Sequence, residues 1–341
     1  RALPPELEVA YLGDSDTPVR PGLDRVIPAP PIGYAPGLRD RARLFATLVD
    51  PRLRRLPVHL FFSPSRTSQG LLAAVRKTAK GRRFVQTVPC SDGAEQHVRA
   101  LGSLDAVVVT SDHARAKLLG AGLDAAKLVR IHPGVELAPR PAVDPAASRR
   151  LLYAGDLDRA VARRLLAVAA MLRRPELAGW TLTIACRPKG EHDALARTLL
   201  RTELVDDLGS GRVQLLVEVD DMDELLRSTS LQLYLADHAR RKVDLPLVLL
   251  EGMARGVGIA VLGAAPVAEI FTLARAEGLD VGLELAPGED DPHAHALALA
   301  AVLVDAGALL RFGRDARRLV ERRFSIATMA RAYVELYATL A

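Results

Sequence analysis

Glu251 is the residue whose surroundings in this chain most invite chemistry. It follows Lys242-Val243-Asp244-Leu245-Pro246 and the apolar run Leu247 to Leu250, and it precedes Gly252-Met253-Ala254-Arg255-Gly256-Val257-Gly258. A polar loop, an apolar segment and a small-residue turn predict a helix that starts near Leu245 and packs on a sheet. Glu251 is then the one charge on a buried face. A carboxylate in such a place costs several kcal/mol unless donors reach it, and the vicinal hydroxyls of a ligand are good donors. A core helix whose Glu pairs with an Arg explains the same pattern without a ligand. Just upstream, Asp244 offers a hydrogen-bond acceptor and Lys242 a cation.

Other chemistry-bearing spacings read as structure. Asp-x-Asp, a metal motif, occurs at Asp14/Asp16, Asp156/Asp158 and Asp221/Asp223. Asp220 to Glu224 is expected to start and cap a helix. His293 and His295, beside Asp290 and Asp291, could ligate a metal, but a helix N-terminus in a surface loop suits them better. Gly256-Val257-Gly258 lacks the third glycine of a dinucleotide fingerprint. Cys90 and Cys186 have no paired spacing, which argues against a disulfide framework or a cysteine-based metal site. His132, before Pro133-Gly134, reads as a cleft-facing or a structural histidine.

Strands and helices alternate along the chain. Leu7–Leu12, Val58–Phe62, Phe84–Val88 and Ala106–Val109 read as strands, with helices around Leu38–Val49, Gly70–Thr78 and Ala94–Leu101. Pro139, Pro141 and Pro145 cluster in a polar stretch that suits a linker. The pattern then restarts with strands at Leu151–Ala154, Leu182–Ala185, Val213–Leu216, Leu231–Leu235 and Ile259–Leu262. This alternation predicts parallel, doubly wound sheets, and 341 residues suit two such domains. Ligands of these sheets bind outside the carboxyl ends of the strands.

The Lys242–Gly258 stretch resembles the donor-site signature of retaining GT-B glycosyltransferases of family 4 (glycosyltransferase group 1). Three further passages are similar to that family and occur in its order: Val107–Ser111 with Leu118-Leu119 and Val129–Val135; Leu151–Leu157; and Gly313–Tyr337, with Phe324-Ser325 at its centre and Tyr333 and Tyr337 near its end. The resemblance covers roughly residues 85–341. It implies an α/β GT-B fold, two Rossmann-like doubly wound domains facing across a cleft. Residues 1–145 would form the acceptor-side domain and 146–324 the nucleotide-sugar domain, with 325–341 a helix crossing back to the first. Leu7–Leu12 would be the second strand of the first domain, so its first strand and glycine-rich acceptor loop are expected upstream of the given chain.

The resemblance implies a sugar moved from a nucleotide-diphosphate donor to an acceptor with retention, without a metal or other cofactor. Glu251 would grip the ribose at the cleft. Gly155, Gly263 and Glu269 would lie along the nucleotide sugar. A diphosphate needs helix N-terminal amides and cations. Asp156 stands where the family usually has an Arg, and no Lys follows; Arg159 and Arg163 are the nearest replacements, and Arg187 and Lys189, just after the Leu182–Ala185 strand, could also reach the cleft. The family's Glu-x7-Glu pattern ends at Glu251 but begins here at Val243. Asp244 could then accept hydrogen bonds from the sugar, and Lys242 could neutralise phosphate. Ala265 and Pro266 fall near the family's Gly-Gly pair, and the proline removes one amide donor. These departures keep open a non-catalytic GT-B module that binds a nucleotide or a partner. A sugar-nucleotide epimerase would need more acid/base residues than the chain offers.

Residues 1–145 carry 21 Lys and Arg against 14 Asp and Glu, a net +7, whereas the remainder is net −2. Arg52, Arg54 and Arg55 cluster, as do Arg76, Lys77, Lys80, Arg82 and Arg83. Attraction of about 1 kcal/mol per basic residue suits an anionic or lipid-linked acceptor and peripheral contact with a membrane. An ordinary solvated face explains the same charges. Nucleic acid is disfavoured because no stacking aromatics interleave with them. No apolar run is long enough to span a bilayer and no signal peptide is visible. The expected location is therefore cytoplasmic, at the inner membrane face if the basic domain docks there.

Overall fold

The computed structural model describes residues 10–13, 25–28, 38–51, 57–61, 64–137, 145–188, 191–236, 243–263, 266–286 and 291–340. It divides into two compact units. Unit 1 takes Arg1–His132, Arg241–Asp244 and Ile326–Ala341; unit 2 takes Pro133–Arg240 and Leu245–Ser325.

In unit 1, β1 (Ala10–Gly13) and β2 (Arg25–Pro28) pair in parallel. A second parallel sheet runs β3 (Val58–Phe61), β4 (Phe84–Val88), β5 (Ala106–Val109) and β6 (Leu128–Arg130), in that order. Helices α1 (Leu38–Val49), α2 (Arg66–Thr78), α3 (Val98–Leu101) and α4 (Asp112–Gly120) connect the strands. Every residue of β4 and β5 is buried. Such continuous apolar runs belong to parallel strands covered on both faces. Phe84, Val88, Val107 and Val109 meet Leu72 and Val75 of α2 on one face. The stretch expected as one helix from Ala94 breaks into a 3₁₀ turn, Ala94–His97, and α3. Pro139 and Pro141 lie outside the described residues, and Pro145 opens α5 (Pro145–Ser148).

Unit 2 holds six parallel strands: β7 (Arg150–Ala154), β8 (Thr181–Ala185), β9 (Val213–Leu216), β10 (Leu231–Tyr234), β11 (Gly258–Leu262) and β12 (Gly282–Leu285). The first five match the expected strands to within one residue; β12 was not anticipated. Helices α6 (Arg159–Met171), α7 (Glu191–Glu203), α8 (Val205–Gly209), α9 (Met222–Arg227), α10 (Leu247–Ala254), α11 (Glu269–Ala276), α12 (Pro292–Leu303) and α13 (Ala306–Leu319) complete it. The sheet order is β12-β11-β10-β7-β8-β9. Numbered within the unit this is 3-2-1-4-5-6, the doubly wound order whose direction reverses beside the first strand. The reversal lies between β7 and β10, which are hydrogen-bonded neighbours with Leu231 opposite Leu151.

The chain returns to unit 1 as α14 (Ile326–Leu340). Tyr333 and Leu336 pack on Val85, Ala106, Val108 and Ile131, the face of the unit 1 sheet away from α2. Polar bonds fix the seat: His59 Nδ1 lies 2.5 Å from Tyr337 Oη and Nε2 lies 2.8 Å from Thr87 Oγ1. Among the described residues, no single helix is long and apolar enough to cross a membrane.

Candidate functional site

In a doubly wound sheet the ligand crevice opens where the strand order reverses, at the carboxyl ends of the strands. In unit 2 that place is bounded by the ends of β7 and β10. Gly155 follows β7, its N–H donating to Ala185 O at 3.2 Å. A Cβ at this position would lie 3.1 Å from Tyr153 Oη, so a larger residue would crowd the turn. Tyr153 donates to the Asp156 carbonyl. Asp158 caps α6, its Oδ1 accepting from Val161 N at 2.9 Å. A side-chain anion thus already sits at the helix N-terminus that would otherwise attract phosphate. Arg159 is the exposed first residue of α6, and Arg163 is exposed one turn on.

Arg164 is buried instead, and its Nη1 donates to Leu235 O, just past the end of β10, at 2.8 Å. The sequence reading had not singled it out. The signal was there: Arg164 falls three residues after Val161, on the face that Val161 and Leu165 bury. Arg187 is exposed two residues after β8, and Lys189 lies outside the described residues. Behind the β8 end, Arg197 Nη2 donates to Cys186 O at 2.9 Å and pairs with Asp193 at 3.0 Å; both side chains are buried. Burial pushes the Cys186 thiol up to about 12 against the pull of Arg197, and burial followed by nearby Asp156 pushes the Tyr234 phenol up to about 12. Neither group ionises near neutral pH, so neither is a ready nucleophile or base.

Glu251 is the fifth residue of α10, half-buried, with Leu249, Leu250 and Met253 buried around it. The helix begins at Leu247 rather than Leu245. Arg255 is the cation within reach, but it donates to the Glu251 carbonyl at 2.8 Å and sends its other nitrogens to Asp223. Among the described residues, nothing donates to the Glu251 carboxylate. Gly263 follows β11 and donates to Leu285 O at 2.7 Å; a Cβ there would sit 2.9 Å from that oxygen, so only glycine fits without a shift. Glu269 opens α11 and is half-buried. The N–H groups of Glu269, Ile270 and Phe271 donate to Pro266, Val267 and Ala268 carbonyls at 3.0–3.1 Å. The first turn of α11 is therefore closed on itself. Gly155, Arg159, Arg187, Gly263 and Glu269 all lie at or just past the carboxyl edge of the unit 2 sheet.

Asp244 belongs to unit 1 and has 0% exposure. Its Oδ1 accepts from Ser91 N at 2.8 Å and Ser91 Oγ at 2.9 Å; its Oδ2 accepts from Ser111 Oγ at 2.5 Å. Its own N–H donates to Pro89 O at 3.0 Å. Ser111 also caps α4, accepting from Ala114 N at 2.9 Å. Lys117 ties Ser91 O (3.0 Å) to Glu95 (3.1 Å) beside this node. The expectation that Asp244 reaches a donor sugar meets this geometry: both carboxylate oxygens are engaged and no surface is left for a ligand. Lys242 lies outside the described residues.

The remaining carboxylates and histidines mostly do structural work. Asp221 caps α9 through Glu224 N at 2.9 Å, as the sequence predicts, and Asp223 pairs with Arg227 at 2.6 Å. Asp291 caps α12 through His293 N, and His295 Nε2 lies 3.0 Å from Ala286 O.

The sequence matches no protein family and no curated protein. Solved structures are similar in fold. HepE from Anabaena, in complex with UDP and glucose, aligns with 14% identity and a TM-score of 0.69, covering 93% of this chain and 86% of that one. Sucrose-phosphate synthase from Thermosynechococcus elongatus aligns with 20% identity and a TM-score of 0.67, over 97% and 87%. A glycosyltransferase from Rickettsia africae aligns with 13% identity and a TM-score of 0.67, over 93% and 85%. The chain has the α/β fold of these GT-B proteins.

Proposed function

We propose that this chain is a glycosyltransferase that takes a sugar from a nucleotide-diphosphate donor held by unit 2. One observation carries the reading: Glu251 is half-buried on the helix that follows the switch-point strand β10, and among the described residues nothing donates to its carboxylate. Ribose hydroxyls would supply the missing donors. The Anabaena structure of the same fold, which holds UDP and glucose, supports it.

In this reading Gly155 lets the donor approach the β7 turn, and Arg159 or Arg187 meets the diphosphate, with the buried Arg164 adding positive potential beneath. Gly263 and Glu269 border the sugar end. Lys242 would neutralise phosphate, and Asp244 would act on the sugar only if freed from Ser91 and Ser111. Transfer would retain configuration. The bond from the anomeric carbon to the phosphate oxygen breaks, the acceptor oxygen bonds to that carbon on the same face, and the leaving phosphate takes the acceptor proton. No side-chain nucleophile is needed, which suits a site whose thiol and phenols stay protonated. The protein would act electrostatically, stabilising charge on the diphosphate, without a metal. The basic first 145 residues favour an anionic or lipid-linked acceptor and peripheral contact at the inner membrane face.

A non-catalytic nucleotide- or partner-binding module is the second reading. The enclosed Asp244, with Val243 before it, and the self-closed first turn of α11 favour it. Hydrolysis of UDP-, GDP-, ADP- and dTDP-sugars without acceptor separates the two, since water can replace an unknown acceptor. Slow hydrolysis of one donor supports the transferase. Binding without hydrolysis across the panel supports the module.

A further inference from the structure

Strand β10 lies between β7 and β11, where a covered parallel sheet calls for aliphatic side chains. Gln232 breaks that run. It stands opposite Leu152 of β7 and Ile259 of β11 and is 1% exposed. Its Nε2 donates to Val248 O of α10 at 3.1 Å, while its Oε1 is buried with no hydrogen-bond partner among the described residues. A buried carbonyl oxygen without a donor is costly, and an apolar residue of the same shape avoids that cost. The cost directs attention to what the amide does to α10.

A Cβ on Gly252 would collide with Gln232 Oε1, so the amide fills space that only glycine leaves open. Glycine weakens a helix interior, and here it admits the amide to the helix backbone. Gln232 therefore meets α10 at Val248 and Gly252, about one turn apart. Glu251 lies between those two points, immediately before Gly252. Nothing among the described residues donates to its carboxylate, so the aim of that carboxylate follows the rotation and height of α10 above the sheet. Arg255, paired with Asp223 of α9, holds the end of the helix. Gln232 holds its middle from the sheet.

We propose that Gln232 is a positioning residue for the nucleotide site, wedging α10 at the rotation that aims Glu251 at the ribose hydroxyls. This rests on the donor reading above. Binding groups must be held to within about 0.5 Å of their working geometry, and the wedge supplies that constraint.

UDP, GDP and ADP are titrated by calorimetry, each beside its 2′,3′-dideoxy form, on the native chain, Gln232→Met and Gly252→Ala. Methionine is unbranched like glutamine and fills the space without an amide. The added methyl of Gly252→Ala pushes the amide aside, and thermal melts check both folds. The native chain should bind one ribonucleotide roughly tenfold or more tighter than its dideoxy form, the worth of a charged hydrogen bond. In each variant the ribonucleotide should weaken roughly tenfold while the dideoxy form keeps its affinity, so the preference collapses. An unchanged preference in either folded variant overturns the role of Gln232 and leaves the donor site standing. An equal loss for both forms, or failure of both variants to fold, makes Gln232 structural only and also overturns it. A native chain that binds none of the three, or binds both forms alike, removes the ribose contact itself and this proposal with it.

Discussion

Asp244 and Glu251 stand seven residues apart in one conspicuous stretch, and the fold treats them oppositely. Asp244 is sealed in unit 1, with three donors on its carboxylate and its amide tied to Pro89. Glu251 is half-buried in unit 2, and its neighbouring Arg255 is committed to Asp223 and to a backbone carbonyl. A carboxylate whose acceptor capacity is filled by the protein holds structure. One left without donors in a half-buried place is available to a ligand. If the proposed donor site is right, the pair divides the labour that sequence reading assigned to both.

Substitutions at the two positions should diverge most in stability. Asp244→Ala leaves the Ser91 and Ser111 donors facing an empty buried site, and it should cost about 3–5 kcal/mol in urea unfolding, as breaking a buried charged cluster does. Glu251→Ala should cost less than about 1 kcal/mol, because no partner among the described residues is orphaned. Equal losses would end the comparison.

Unit 1 offers a second test of structural polar groups. Burial holds the His59 imidazole down at about 4, below its ordinary 6.5. The unfolded chain takes up a proton as pH falls through 6.5, whereas the folded chain does so only near 4. Stability from the neutral ring is thus complete above pH 6.5 and is lost progressively toward pH 4, by about 3 kcal/mol at most. Unfolding measured across that range should show a steeper acid loss for the native chain than for His59→Gln. Parallel profiles would remove the ring from the account of how α14 is seated.

The smallest effect sharpens the picture at the donor edge. Asp158→Ala removes the α6 cap and should lower stability by about 1 kcal/mol. It also opens the Val161 N–H and removes an anion where a diphosphate would sit, so affinity for a nucleoside diphosphate should rise slightly. If affinity falls or does not change, the phosphate does not lie at the α6 N-terminus.

Much of the frame was legible in the sequence because burial writes continuous apolar runs. Leu151–Ala154 and Ile259–Leu262 could be read directly as strands of a covered parallel sheet. Strand β12 was missed because Gly282-Leu283-Glu284-Leu285 sits at the sheet edge, where an exposed Glu284 interrupts the run. Glu251 was visible as a lone charge after four apolar residues. Nothing local marks Asp244 as enclosed: its partners Ser91 and Ser111 lie more than 130 residues away, and only tertiary folding joins them. Arg164 stayed hidden for a related reason. A cation on an apolar helix face is legible, but the Leu235 carbonyl that justifies its burial is not.

The central claim is that unit 2 binds a nucleotide-diphosphate sugar through Glu251, and calorimetry of Glu251→Gln tests it most directly. The native chain should bind one of the UDP-, GDP-, ADP- or dTDP-sugars. The variant, with its fold intact, should bind the same ligand about 1.5–3 kcal/mol more weakly, the cost of a lost charged hydrogen bond. Unchanged affinity in the variant would take Glu251 out of the site and contradict the account.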